Sequence, residues 1–308
     1  MIKKSLLISL TLWMGSGLLF AQQKKLCITV DDLPVVSYGI HDSTFVFNLT
    51  RSLIQTFDEY QIPAIGYVNE SKLYTNEKPD STKIKLLELW PAYGYDLGNH
   101  TYAHLSYHQT AFNDYTDGII KGEQITRPLL KKYGKELRYF RHPYLQSGLR
   151  QGHTDSLKNF LKTNSYIEAP VTIDNADYLF AKAYSDAHKE EDSEKMKKIG
   201  SAYVKYMEEK VVYFEWMADE LFGRPIAQTL LTHANLLNAH YLDDLAAMYV
   251  THGYTFVSQE EVLRDSAYQS EINRYGNWGI SWLDRWALSQ GKSGDFFKGD
   301  PEVPAFIK

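Results

Sequence analysis

The sequence holds a single cysteine in 308 residues, Cys27, so no intrachain disulfide can form and the fold must rest on its core. Lys25 and Leu26 ahead of it are not the small residues that precede a lipid-modified cysteine, and a buried, inert thiol at the start of a strand is expected. Basic charge is also short, with 33 Lys and Arg against 38 Asp and Glu and a net charge of -5. That balance excludes the basic footprint of nucleic-acid binding, while a neutral or partly cationic substrate is compatible with it. No low-complexity linker divides the chain, and 44% hydrophobic content suits one large core of the size that α/β barrels occupy. Beyond residue 21 no run is apolar enough to cross a bilayer, so no stable membrane insertion is expected.

The one long apolar run, Leu6 to Phe20, follows Lys3 and Lys4 and closes on Ala21 before Gln22 and Gln23. Ser9, Thr11, Gly15, Ser16 and Gly17 interrupt it, and it falls short of the roughly 20 apolar residues of a spanning helix. It reads as a secretory signal peptide over residues 1–21, cleaved near Ala21, and predicts export to a periplasm or the cell exterior. Its removal takes away two lysines and no acid, which leaves the mature chain at -7.

Short apolar runs then alternate with amphipathic stretches. Leu26 to Val30 precedes a segment in which Phe45, Leu49, Leu53 and Phe57 share one helical face. Ala64 to Val68 leads into a helix carrying Ile84, Leu87 and Leu89, and Tyr95 to Leu97 into a long segment ending near Tyr133. Arg138 to Phe140, Tyr166 to Ile173, Ala227 to Leu231 and Thr255 to Val257 are further strand candidates, with a helix over Ala239 to Tyr249 between the last two. Six or seven such units predict a parallel sheet with covering helices, closed or nearly closed, over residues 22–265. Residues 185–222, rich in Lys, Glu and Met, break the rhythm as a helical insertion with a solvated charged face. Residues 266–308 form an aromatic-rich extension, in which Trp278, Trp282 and Trp286 lie on one stripe if the segment is helical. Packing against the barrel is the favoured role of that stripe, and a sugar-stacking platform the alternative.

In parallel α/β folds the chemistry collects at the carboxyl ends of strands. Four of the apolar runs end in polar residues that would converge there: Asp31 and Asp32; His100 to His104; Arg141 to Tyr144; and Thr232 with His233. The four-residue spacing of His100 and His104 aligns both on a helical face, but His104 and His108 share it, so the pair alone is weak evidence. His108 is read as a surface or packing residue. Two imidazoles and one carboxylate leave an open position on a zinc-type ion, the pattern of a catalytic site. Adjacent aspartates on a regular strand point to opposite faces, so a loop is expected to begin at Asp31, consistent with Leu33-Pro34. Helix capping or plain exposure would otherwise account for such a pair.

Thr29 to Pro34, His100 to His104, Arg141 to Tyr144, Asp174 to Tyr178 and Leu231 to His233 resemble, in order, the five motifs of the polysaccharide deacetylases with the NodB homology domain, carbohydrate esterase family 4. The resemblance spans about residues 26–265 and implies a distorted (β/α) barrel. It also implies that Asp32, His100 and His104 ligate a divalent metal, zinc first with cobalt or nickel as alternatives, and that Asp31 is the general base acting on a water activated by the ion. Arg141 would pair with Asp31, the backbone N–H of Tyr144 would bind the oxyanion, and His233, tuned by Asp177, would protonate the leaving amine.

Leu33 stands where the family has glycine, His142 and Leu145 flank Pro143-Tyr144 in place of proline and glycine, Tyr178 replaces tryptophan and Ala234 replaces aspartate. These positions are expected around the pocket wall, where they bear on substrate size and shape. The implied substrate is an acetylated glycan. Removal of N-acetyl groups from N-acetylglucosamine-containing polymers is the leading expectation, followed by O-deacetylation of a polysaccharide such as xylan. A non-catalytic glycan-binding protein of the same fold is the third reading, disfavoured because Asp31, Asp32, His100, His104 and His233 are all retained.

Overall fold

The computed structural model describes residues 23–40 and 42–308, so the expected signal peptide lies outside the described residues. Strand β1 (Lys24–Leu33) is buried along almost its whole length and forms the centre of the sheet. It is followed by α1 (Ser43–Glu59), β2 (Ile65–Val68), a small antiparallel hairpin of β3 (Tyr74–Thr75) and β4 (Lys78–Pro79), α2 (Ser81–Ala92) and β5 (Asp96–Asn99). Then come α3 (Phe112–Lys121), α4 (Thr126–Lys132), β6 (Tyr139–Phe140), α5 (Gln151–Thr163) and β7 (Ile167–Glu168). The chain continues through α6 (Asp177–Lys189), α7 (Ser193–Phe222), β8 (Gln228–His233), α8 (Leu236–Thr251), β9 (Tyr254–Phe256), the short α9 (Gln259–Val262) and α10 (Trp282–Ser289).

The main sheet runs β7-β6-β5-β2-β1-β8, with β9 joined to the start of β1, and every pairing within it is parallel. Helices cover its outer face, as the alternation of apolar runs and amphipathic stretches predicts. The expected strand over Tyr166 to Ile173 is cut short after Glu168, because Pro170 has no N–H to give a ladder. The chain instead crosses to the far edge, where Thr172 and Ile173 donate to the Thr229 carbonyl and Leu231 donates to that of Ile173. This crossing curls the sheet into a distorted (β/α) barrel.

Segment 185–222 falls on the end of α6 and all of α7. The 30-residue α7 turns Tyr203, Met207, Val211, Phe214 and Met217 inward against α6, α8 and α10 and stops at Gly223, whose φ of 65° suits only a residue without Cβ strain. The tryptophan stripe is shorter than a four-residue repeat suggests. Helix α10 begins at Trp282, capped by Ser281 Oγ accepting from Asp284 N–H at 3.0 Å, so Trp278 lies in the preceding coil. Trp282 and Trp286 are buried and pack on the barrel.

Candidate active site

Strand β1 delivers two adjacent carboxylates to one cavity. The strand continues through both, contrary to the loop expected at Asp31, but its register against β2 breaks between Val30 and Leu33, and Asp32 takes the left-handed φ of 68°. That local reversal turns a residue due to face the other side back toward the cavity. Asp31 stays in register opposite His233 of β8.

The two histidines meet without a helix. Residues 100–104 form a coil in which Thr101 and His104 have φ of 65° and 52°. Thr101 N–H donates to Asn99 Oδ1 at 2.7 Å, and Thr101 Oγ1 accepts from His104 N–H at 3.0 Å. These side-chain turns fold the loop so that the imidazole centroids stand 4.8 Å apart. The four-residue spacing mattered, but through a turn and not through a helical face.

Asp32 Oδ1 lies 3.6 Å from Nε2 of both His100 and His104, and one ligand atom from each residue falls within 4.8 Å of the others. Ligands bound tetrahedrally at 2.0–2.1 Å stand about 3.3 Å apart, close to the two 3.6 Å separations, so the three residues are grouped closely enough to hold a metal ion. Buried Asp32 Oδ1 has no hydrogen-bond partner, as expected of an atom kept for a cation. His100 Nδ1 donates to the Arg141 carbonyl at 2.8 Å, which fixes the tautomer and leaves the Nε2 lone pair on the cavity. Burial holds both imidazoles below their ordinary pKa, His100 well below, so both stay neutral donors. Burial pushes the Asp32 carboxyl up, but Lys72 and the surrounding imidazoles outweigh it and keep that carboxyl ionised.

Asp31 is almost fully buried, and burial raises its pKa to about 6 against the opposing pull of Arg141. Arg141 Nη1 stands 3.8 Å from Asp31 Oδ2, and its other nitrogen Nη2 donates to Thr29 Oγ1 at 3.0 Å. The guanidinium is fully buried and lies over the Tyr67 ring at 4.5 Å, which supports the cation there. On the other side of the cavity, His233 Nδ1 donates to Asp177 Oδ1 at 2.6 Å. Asp177 Oδ2 accepts from His233 N–H at 3.0 Å and from Asn238 Nδ2 at 2.9 Å. Burial works against charge on His233, but Asp177 raises its pKa to about 9.

These groups line a cavity of about 690 Å³ with Tyr38, His142, Tyr144, Leu145, Tyr178 and Gly279 among its walls. Tyr144 has φ 56° and its ring, 55% exposed, stands edge-on to His104 with centroids 4.4 Å apart. Of the positions that depart from the family pattern, His142, Leu145 and Tyr178 are in the wall. Leu33 and Ala234 are not: both are buried in the core, and Leu33 fits because Gly66 beside it has no Cβ, which would come within 2.1 Å of Leu33 Cδ1. His142 donates from Nε2 to Glu168 at 2.6 Å. His108 donates from Nδ1 to Asn277 Oδ1 and accepts at Nε2 from Gly148 N–H, both at 3.2 Å, so it has no lone pair to offer an ion.

Sequence reasoning missed Lys72 and Asn69. Lys72 Nζ donates to the Asp32 carbonyl at 2.7 Å and stands 3.8 Å from Asp32 Oδ2, while Asn69 Nδ2 donates to the His100 carbonyl at 2.7 Å. A signal was available, since Ala64 to Val68 also runs into polar residues at a strand's carboxyl end.

Residues 21–165 match the family model for polysaccharide deacetylase. Comparison with curated proteins finds no match. Among solved structures, a chitin deacetylase of the fungal pathogen Colletotrichum lindemuthianum shares 18% identity, with a TM-score of 0.54 over 80% of this chain and 90% of that one. A polysaccharide deacetylase of Bacillus cereus shares 16%, with a TM-score of 0.50 over 77% of this chain and 92% of that one. A mutant of a Bacillus anthracis family 4 pseudoenzyme, with restored enzymatic activity, shares 14%, with a TM-score of 0.51 over 79% and 68%. The structural likenesses establish the barrel fold, and it is the segment 21–165 that matches the polysaccharide deacetylase family.

Proposed function

We propose that this protein removes N-acetyl groups from glycans containing N-acetylglucosamine. The observation that carries the reading is the pairing of opposed proton carriers across one cavity: Asp31 beside Arg141 on one wall and His233, held by Asp177, on the other. Asp32, His100 and His104 would hold a divalent ion, zinc by the donor set with cobalt or nickel as alternatives, and when bound it supplies Lewis-acid polarisation and a more acidic water. Asp31 takes a proton from the water that attacks the acetyl carbonyl carbon. The Tyr144 N–H donates to the oxygen that gains charge as the new C–O bond forms. His233, charged with a pKa raised to about 9, gives its proton to the amide nitrogen, the C–N bond breaks, and acetate and a free amine result.

An amine leaves poorly unless protonated, whereas an alkoxide from an ester needs less help. The raised pKa of His233 therefore favours N-deacetylation over the O-acetyl reading. That the fungal neighbour is a chitin deacetylase agrees with this preference. The test is acetate release from N-acetylated chitin oligomers and O-acetylated xylan, measured side by side with metal-loaded protein. Faster release from xylan would replace this reading with the esterase, and none from either would favour the glycan-binding one. We also propose export, on the Lys3 to Ala21 pattern, to be checked by amino-terminal sequencing of the mature protein.

A further inference from the structure

The carboxyl-terminal extension lies outside residues 21–165, yet it reaches the cavity wall. Gly279 sits so close to the turn that carries Tyr144 that a Cβ built on it would stand 1.9 Å from the Tyr144 carbonyl oxygen. The next nearest atoms to that Cβ are the Tyr144 carbonyl carbon at 3.0 Å and Leu145 N at 3.9 Å, so the glycine meets this turn first. Six residues on, Arg285 is fully buried and donates from Nη2 to the Leu145 carbonyl at 2.7 Å, while its Nε and Nη1 have no partner. The extension is itself pinned to the barrel, where Trp282 N–H donates to the Val171 carbonyl at 2.7 Å. Tyr144 and Leu145 have φ of 56° and 51°, a pair of left-handed residues that neither side chain favours. Such a turn persists only when its surroundings over-determine it.

We infer that Gly279 and Arg285 act as positioning residues that clamp the Tyr144–Leu145 turn and so aim the Tyr144 N–H into the cavity. The inference rests on the proposed oxyanion role of that N–H. Arg285 suits the task because its planar guanidinium anchors a backbone carbonyl in a dry site, where a leftover acceptor would be costly. Gly279 suits it because only a missing Cβ allows backbone to lie against backbone.

The test compares wild type with Arg285→Met, Arg285→Lys and Gly279→Ala. Each is assayed for steady-state acetate release, metal content and hydrogen exchange of the segment 141–149. A misplacement of about 1 Å at a reacting group costs on the order of 10²-fold, so Arg285→Met and Gly279→Ala should lose about that much kcat while KM and metal content hold. Arg285→Lys, which keeps one donor for the Leu145 carbonyl, should recover part of the loss. Exchange in 141–149 should rise in Arg285→Met and Gly279→Ala and stay at wild-type level elsewhere in the barrel. Unchanged exchange in 141–149, or a kcat within about twofold of wild type in Gly279→Ala, overturns the clamp. Gly279 is exposed and its substitution spares the core, so this variant decides the matter even if Arg285→Met fails to fold. If wild type releases no acetate from any substrate, the deacetylase reading fails by itself and hydrogen exchange still judges the clamp.

Discussion

The His233 imidazole donates through Nδ1 to Oδ1 of Asp177 at 2.6 Å, so a buried carboxylate decides which ring nitrogen looks into the cavity. Asp177 opposes the effect of burial and raises the His233 pKa to about 9, above the ordinary imidazole value near 6.5. A group raised in the folded state contributes stability that is fully present below about 6.5 and is lost as pH rises through about 9. The alkaline limb of kcat/KM is expected near pH 9 and should move toward 6.5 in Asp177→Asn. A pH profile of acetate release checks this, and a wild-type limb near 7 would contradict the pairing.

Asp31→Asn keeps the shape of the site but cannot take a proton. Turnover should fall by roughly 10²–10⁴-fold while the metal content measured by elemental analysis stays at the wild-type level. His104→Ala removes one of three ligands and should lower metal occupancy first. Normal activity in Asp31→Asn, or full occupancy in His104→Ala, would reverse the assigned roles.

His233→Ala separates the two leaving groups. Cleavage of an N-acetyl substrate should lose at least roughly tenfold more rate than cleavage of an activated acetyl ester, because the amine depends more on a proton donor. Equal losses on both substrates would remove His233 as the acid.

Trp286 is 1% exposed and stands edge-on to Phe222 and Tyr268, far from the role of a sugar platform. Trp286→Ala should cost about 3–5 kcal/mol in a urea melt, the usual penalty for emptying an aromatic core position. Its KM for long and short substrates should remain in the wild-type ratio. A loss confined to long substrates with normal stability would restore the stacking alternative.

Much of this arrangement is legible in the sequence. The runs leading to His100, Arg141 and His233 mark strand ends correctly, and the run leading to Asp31 marks a strand that continues to Leu33, because burial on both faces of a parallel sheet leaves an unbroken apolar signature. What period and spacing do not show is backbone handedness. Asp32, Thr101, His104 and Tyr144 are left-handed, and at Thr101 and His104 local side-chain turns hold the loop, so a histidine pair four apart suggested a helix where a turn stands. Lys72 escaped notice because its run is followed by a short 3-10 turn that hides its nearness to Asp32. Trp278 was misplaced because Ser281 starts the helix three residues later than the aromatic spacing implies.

The break in register at the end of β1 carries a constraint on how this chain can vary. Straightening that segment would send one of the neighbouring acids into oil-like surroundings, where a bare charge is intolerable. Substitutions that favour regular pairing at Asp32, such as valine or threonine, would therefore do more than delete an ionisable group: they would remove the kink that lets two consecutive residues serve one pocket. Drift around this point is confined to side chains that accept the reversed backbone, which leaves Asn as the mildest replacement and makes Asp32→Asn the informative probe of shape without charge.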